Sequence, residues 1–476
     1  MSTPETTHPI EVLGPPGDRH REILTPEILT PEALDFVARL DTAFTRRRGE
    51  ILTARRHRVD SLASGHPLDF PRATSAVRDD PHWRVAPAAG PTGRRVAIAG
   101  PPGPRTAADA PGPGSEVPIT DFEEAASPHW ENVLAGHLTL LDACAHHAPP
   151  HGREPRPGGV VPTVAVRPRG WHLEEERLRI DGRPVSASLV DFGLYFFHCA
   201  RRLLDAGSGP CLRLTGLENR FEARLWNDVF LRAQDLLGIP RGTMRATVVI
   251  DTVTAAFEME EILYELREHG CGLATDPRHY LFSVIGTFGH RTAFLLPDTV
   301  EAALTAPFMR AYAELLVRTC ARRSARATGD LTEITGLSGD APVRAADLLS
   351  AHRPDPAQAP TRQQIRAAVS LSLRHVEAWL SGRGTAVPDG MPIGGPAAEL
   401  TRARLWQWRR QRLVSPTDLR ALIDVESASM ARERSGALVT EAREVLERTL
   451  LGDELPPPLT PDTYRRRLVF AVERSA

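Results

Sequence analysis

Residues 245–282, RATVVIDTVTAAFEMEEILYELREHGCGLATDPRHYLF, decide how the rest of the chain is read. Ala246 to Ile250 is a β-branched apolar run, too short for a buried helix and long enough for a strand buried on both faces. Asp251 therefore stands at a strand's C-terminal end. From Val253 the period changes: Phe257, Met259, Ile262, Leu263 and Leu266 recur at helical spacing, while Glu258, Glu260, Glu261, Glu265 and Glu268 fill the other face. Cys271 to Ala274 is short and apolar and reads as the next strand. Strand, amphipathic helix and strand make a β-α-β unit, which needs a parallel sheet with helices against it.

Working outward, the same short runs recur as RVAIAG (95–100), VPITD (117–121), TVAVR (163–167), CLRLT (211–215) and ARATG (325–329), most of them followed by a helical pattern. They predict an α/β fold of the (β/α)8 TIM-barrel type over residues 85–345. Two irregularities are expected: residues 101–116 are too rich in Pro and Gly for a regular first helix, and Leu331 to Pro360 offers no clear last strand. Ile23 to Leu62 alternates apolar and charged residues at helical spacing, with Pro26 and Pro31 able to open helices. The chain thus divides into a helical segment 1–84, a barrel 85–345 and a helical domain 346–476.

Composition excludes several functions. The 476 residues carry a net charge of -2, so no global field favours nucleic acid or an anionic membrane. No run of about 18 apolar residues exists, and the first ten residues lack a signal peptide's pattern; a cytoplasmic protein is expected. Cys144, Cys199, Cys211, Cys271 and Cys320 form no C-x-x-C pair and read as reduced, mostly buried thiols. All 58 basic residues are arginine, which rules out Schiff-base chemistry, covalently attached pyridoxal phosphate and a Walker-type loop; no covalent cofactor is expected. His146, His147 and His151 fall in a Pro- and Gly-rich stretch that reads as a surface loop rather than a metal cluster.

Several segments resemble the malate synthase family of the shorter bacterial, plant and fungal type. They are the frame of Arg267, Glu268, His269, Gly272, Leu273, Tyr280, Leu281 and Phe282, the segments DFEEAASPHWEN, RPRGWHL, VDFGLYFF, LENRFEARLWNDVF and PFMRAYAELLVRTCARR, and the run from Gln363 to Trp408. The resemblance implies a barrel with an N-terminal helical clasp and a C-terminal helical plug. It also implies condensation of acetyl-CoA with glyoxylate, with a small α-keto acid and an acyl-CoA as the partners. Arg167 takes from it the role of binding the acceptor's carboxylate and carbonyl and stabilising the enolate, work that suits an always-charged planar fork. Asp251 and His279 stand where the family holds Mg, so a divalent metal, Mg or Mn, is a candidate cofactor. Asp121, Glu123 and Glu124 follow a strand end, where barrel enzymes keep their chemistry, and are substrate-binding candidates; a solvated acidic turn is the alternative.

Four family positions are changed. Asp251 replaces a Glu, His279 an Asp and Gly216 a Lys, and Gly394 stands where the family's general-base Asp stands. Glycine cannot accept a proton, and losing a general base costs a factor of about 10²–10⁴. The expectation is an altered acyl-CoA-dependent condensing or thioester-cleaving enzyme using Arg167, Asp251 and His279, the last as base or as ligand. The alternatives are a non-catalytic binding relative, and an ordinary malate synthase whose lost groups are supplied by Asp276, Asp389 or Glu399.

Overall fold

A computed structural model describes residues 9–13, 27–87, 119–124, 127–147, 165–291, 294–296, 303–329, 331, 342–350, 359–383 and 395–455. Its strands are β1 (Glu11–Val12), β2 (Ile119–Asp121), β3 (Ala165–Arg167), β4 (Glu174–Ile180), β5 (Arg183–Ser186), β6 (Cys211–Leu214), β7 (Arg245–Ile250), β8 (Gly270–Thr275) and β9 (Arg326–Thr328). Six of them make one sheet in the order β2-β3-β6-β7-β8-β9, with every pair parallel. Because spatial order follows chain order, every crossover steps the same way around; a doubly wound sheet would reverse. This is the winding of a TIM barrel, as the strand runs predict. RVAIAG and the Pro- and Gly-rich stretch after it lie outside the described residues, and no strand follows β9 among the described ones.

The strand faces separate cleanly. Val166, Leu212, Leu214, Ala246, Val248, Ile250 and Leu273 join the main apolar core with the surrounding helices, whereas Ile119, Ala165 and Cys211 form a small cluster of their own. Side chains alternate along a strand, so the residues two steps on, Asp121, Arg167 and Arg213, share that second face, the barrel's interior. Gly272 is a close-approach position, since an added Cβ would lie 2.0 Å from the Arg326 carbonyl oxygen on the next strand.

The N-terminal helix Pro31–Ala63 begins with proline and is capped by Thr30, whose hydroxyl accepts from Ala33 N–H at 3.2 Å. It lies against helices Ala187–Asp205 and Arg220–Leu237. The C-terminal helices Arg362–Leu380, Gly395–Arg410, Pro416–Met430 and Gly436–Leu451 pack on one another, and Gly395–Arg410 also packs on the barrel helix Pro277–Phe288.

Several features differ from the sequence reading or add to it. The helix after β7 is broken into Val253–Ala256 and Met259–Glu265. Part of its acidic face is covered: Glu258, Glu260 and Glu261 are buried, paired with Arg58 and Arg220, with Arg322 and Arg323, and with Arg78, whereas Glu268 is exposed. Segments remote in sequence cover that face, and buried carboxylates persist where such partners exist. His146 and His147 end the helix Trp130–His147 rather than sitting in a loop, and His151 lies outside the described residues. Finally, a three-stranded antiparallel sheet, β1-β4-β5, had no forecast. The strand β4 reads EEERLRI, and its charges hid it: Glu175 is fully buried because Arg169 donates to it at 2.8 Å.

Candidate active site

The candidate residues come from the C-terminal ends of neighbouring parallel strands, which in a barrel open on one face. Asp121 ends β2, Arg167 ends β3, Thr215 follows β6, Asp251 follows β7 and Asp276 follows β8. Arg167 is buried, and its Nη1 donates to Asp121 Oδ2 at 3.1 Å and Glu124 Oε2 at 2.9 Å, while Nε donates to Thr215 Oγ1 at 3.0 Å. The acidic turn is built by Asp121, whose Oδ1 accepts from Glu123 N–H at 2.9 Å and Glu124 N–H at 3.1 Å. Asp121, Glu123 and Glu124 are therefore not a solvated turn. Asp121 and Glu124 are bound to the protein's own arginine, and Glu123 Oε2 accepts from Gly170 N–H at 2.9 Å.

Helix Pro277–Phe288 starts on Asp276, which accepts from His279 N–H at 3.2 Å and brings the imidazole to the same mouth. The ring lies between two carboxylates, with Nδ1 2.9 Å from Asp276 Oδ2 and Nε2 against Glu124 Oε1. Burial alone would discharge His279, but Glu124 and Asp276 outweigh it and push the ring's pKa well up. Burial would likewise raise Glu124, yet Arg167 and His279 hold its carboxyl far below the usual range. Burial pushes Glu123 up to about 7, because it outweighs the pull of Arg167 in the other direction and Glu124 and Asp121 add to it. Asp251, also buried, is pushed to about 6.

Asp251 accepts from Gly216 N–H with both oxygens, at 3.0 and 2.8 Å. Gly216 has φ 65°, a left-handed conformation that glycine adopts without strain. Its carbonyl accepts from Arg55 Nη2 at 2.7 Å, which ties the N-terminal helix to the mouth.

The expected metal ligands do not converge on a metal as arranged. Both ring nitrogens of His279 face carboxylates rather than an open position, and both oxygens of Asp251 lie against Gly216 N–H. No group of three or more His, Cys, Asp or Glu side chains among the described residues converges on a metal-binding geometry. Magnesium asks for a near-octahedral shell of oxygens.

The C-terminal domain reaches the same place. A methyl group added at Gly395, the first residue of its helix, would lie 3.6 Å from Glu124 Cβ and 3.9 Å from His375 Cε1. His375 Nε2 is 3.4 Å from Glu399 Oε1, and Arg402 Nε donates to Glu399 Oε2 at 2.8 Å. Glu399 is thus committed to an arginine. Gly394 and Asp389 lie outside the described residues. The sequence reading passed over His375, Thr215 and Arg213; for Arg213 a signal existed, a charge inside the apolar run CLRLT. Two open clefts of about 480 Å³ each border the N-terminal helix, and neither is lined by a residue of this cluster.

Comparison with known proteins agrees with this architecture. Family models described as malate synthase N-terminal domain, TIM barrel domain and C-terminal match residues 10–75, 163–346 and 359–466. A malate synthase of Streptomyces clavuligerus is 38% identical over 98% of this chain and 99% of its own length. One from Myxococcus xanthus is 35% identical over 88% and 90%, and a glyoxysomal malate synthase of Candida tropicalis 30% identical over 95% and 96%. Among the described residues no helix is long and apolar enough to cross a membrane.

Proposed function

Because the chain belongs to the malate synthase family, we propose that it is an acyl-CoA-dependent condensing or thioester-cleaving enzyme acting on a small α-keto acid such as glyoxylate, with altered catalytic groups. The observation that carries this is Arg167, fixed at a strand's end by Asp121, Glu124 and Thr215. A guanidinium held in advance stabilises an enolate or carbonyl oxygen without reorganising during reaction. In this reading residues 1–84 are the clasp, 85–345 the barrel and 346–476 the plug.

Removing a proton from an acyl-CoA methyl group needs a base poised near neutral pH. Glu123, pushed up to about 7, has that poise, and one of its oxygens is held by Gly170 N–H while the other has no hydrogen-bond partner among the described residues. Glu123 replaces the lost carboxylate at position 394 in this reading. His279, clamped by two carboxylates, supplies positive charge rather than basicity. No step is assigned to a metal, since the donors present do not fit one.

The test is a panel of acyl-CoA thioesters and α-keto acids, read by free-thiol release with and without divalent metals, on wild type and Arg167→Ala. Keto-acid-dependent thiol release that Arg167→Ala abolishes is expected. A second reading, a non-catalytic ligand-binding relative, draws on the neutralisation of Arg167 by protein carboxylates. It takes over if no pair of substrates releases thiol.

A further inference from the structure

Arg213 is a buried cation with no hydrogen-bonded or ion-paired carboxylate among the described residues. It lies on β6 with 9% of its surface exposed. Its direction follows from alternation: Cys211, two residues before it, belongs to the interior cluster with Ile119 and Ala165, while Leu212 and Leu214 face the helices. The recorded pairing of Val166 with Leu212, taken one step further, sets Arg213 beside Arg167 on the adjacent strand.

The other buried arginines show what such a group requires. Arg169 is bonded to Asp191 and Glu175, Arg323 to Glu260 and backbone carbonyls, and Arg402 to Glu399. Burial lowers the Arg213 pKa and Arg167 adds to that, and the more distant charges of Asp276, Asp251 and Asp121 offset it only in part. Each carboxylate in that set is committed elsewhere: Asp121 to Arg167, Asp251 to Gly216 N–H and Asp276 to His279. A buried charge left unpaired is costly, and proteins retain one where a ligand completes it.

We propose that Arg213 grips the carboxylate of the α-keto acid, leaving Arg167 for its carbonyl oxygen. The proposal rests on the keto-acid reading given above. Arg167 carries two protein carboxylates and has little capacity for a third, whereas Arg213 has its whole fork available, and an arginine fork matches a carboxylate in two parallel bonds. Neighbouring strands lie about 4.8 Å apart, a separation that a two- or three-carbon keto acid spans with its carboxylate on one arginine and its carbonyl on the other.

The test is titration calorimetry of glyoxylate and of oxalate against wild type, Arg213→Met, Arg213→Lys and a surface control, Arg46→Met, whose side chain is 90% exposed. Thermal melting of each variant without ligand accompanies it. Arg213→Met is expected to weaken glyoxylate binding at least tenfold, Arg213→Lys to recover part of it, and Arg46→Met to change nothing. The melting temperature of Arg213→Met is expected to equal or exceed that of wild type, because an unpaired buried charge has been removed. Unchanged binding in Arg213→Met overturns this inference alone, and so does weakened binding with a lowered melting temperature, which marks a structural role. A wild type that binds neither acid overturns the keto-acid reading and this inference together.

Discussion

Glu123 and Glu124 are adjacent in sequence and their carboxyls are shifted in opposite directions: Glu124 lies 2.9 Å from Arg167 and against His279, while Glu123 accepts from the Gly170 backbone. Asp121 sets them apart by accepting both of their backbone N–H groups on one oxygen. Environments that separate two carboxyls in this way mark acid and base assignments.

Glu123 sets the pH dependence. Burial raises its folded pKa to about 7, above the unfolded value, so its contribution to stability is fully present below the usual glutamate pKa and is lost as pH rises to about 7. Activity runs the other way, since a base works when deprotonated. Thiol release is expected to rise through pH 7 and level off, and Glu123→Gln to lower it by about 10²–10⁴. A pH–rate profile of both forms checks this, alongside urea titrations at pH 5 and pH 8.

Glu124 has the opposite linkage. Its folded pKa is depressed, so its stabilisation is present above the usual glutamate pKa and is lost as pH falls below it. Glu124→Gln strips a counter-ion from both Arg167 and His279, and breaking buried pairs costs about 3–5 kcal/mol. Urea unfolding at pH 7 is expected to show a loss of that size, shrinking in acid.

Arg169 lies two residues from Arg167 and does different work. It is 1% exposed, forked onto Asp191 at 2.9 and 2.7 Å and bonded to Glu175 at 2.8 Å, which anchors β4 to helix Ala187–Asp205. Arg169→Met is expected to destabilise the fold by about 3–5 kcal/mol, because two buried carboxylates lose their partner. Arg167→Ala is expected to reduce thiol release far more than stability. Denaturation and kinetics on both variants separate the two roles.

Gly394 carries the sharpest gain-of-function forecast. The family resemblance puts a general-base Asp at this position, and the neighbouring Gly395 packs at the Glu124 turn. Gly394→Asp is expected to raise malate formation from acetyl-CoA and glyoxylate by at least a factor of about 10². An unchanged rate in a folded variant would show that the lost base is not what limits the reaction.

The segments that were legible owe their form to local rules. Proline at the first turn and Thr30 before it announce the helix Pro31–Ala63, and short apolar runs between turns announce β6, β7 and β8. The break at Phe257 and the strand β4 were not legible, because helical period and charge say nothing about which distant arginine will cover a glutamate.

By itself the sequence determined the parallel winding, the family, the position of Arg167 and Asp251 at strand ends, and the absence of a carboxylate at Gly394. Those follow from residue type, period and order along the chain. Only the tertiary structure decided what each charge does: Asp121 and Glu124 neutralise Arg167, His279 is clamped between carboxylates, and Arg213 has no bonded partner among the described residues. The physical reason is that the charge state of a buried group depends on its desolvation and on the charges within a few ångströms. At the mouth of a barrel those neighbours come from strands more than a hundred residues apart.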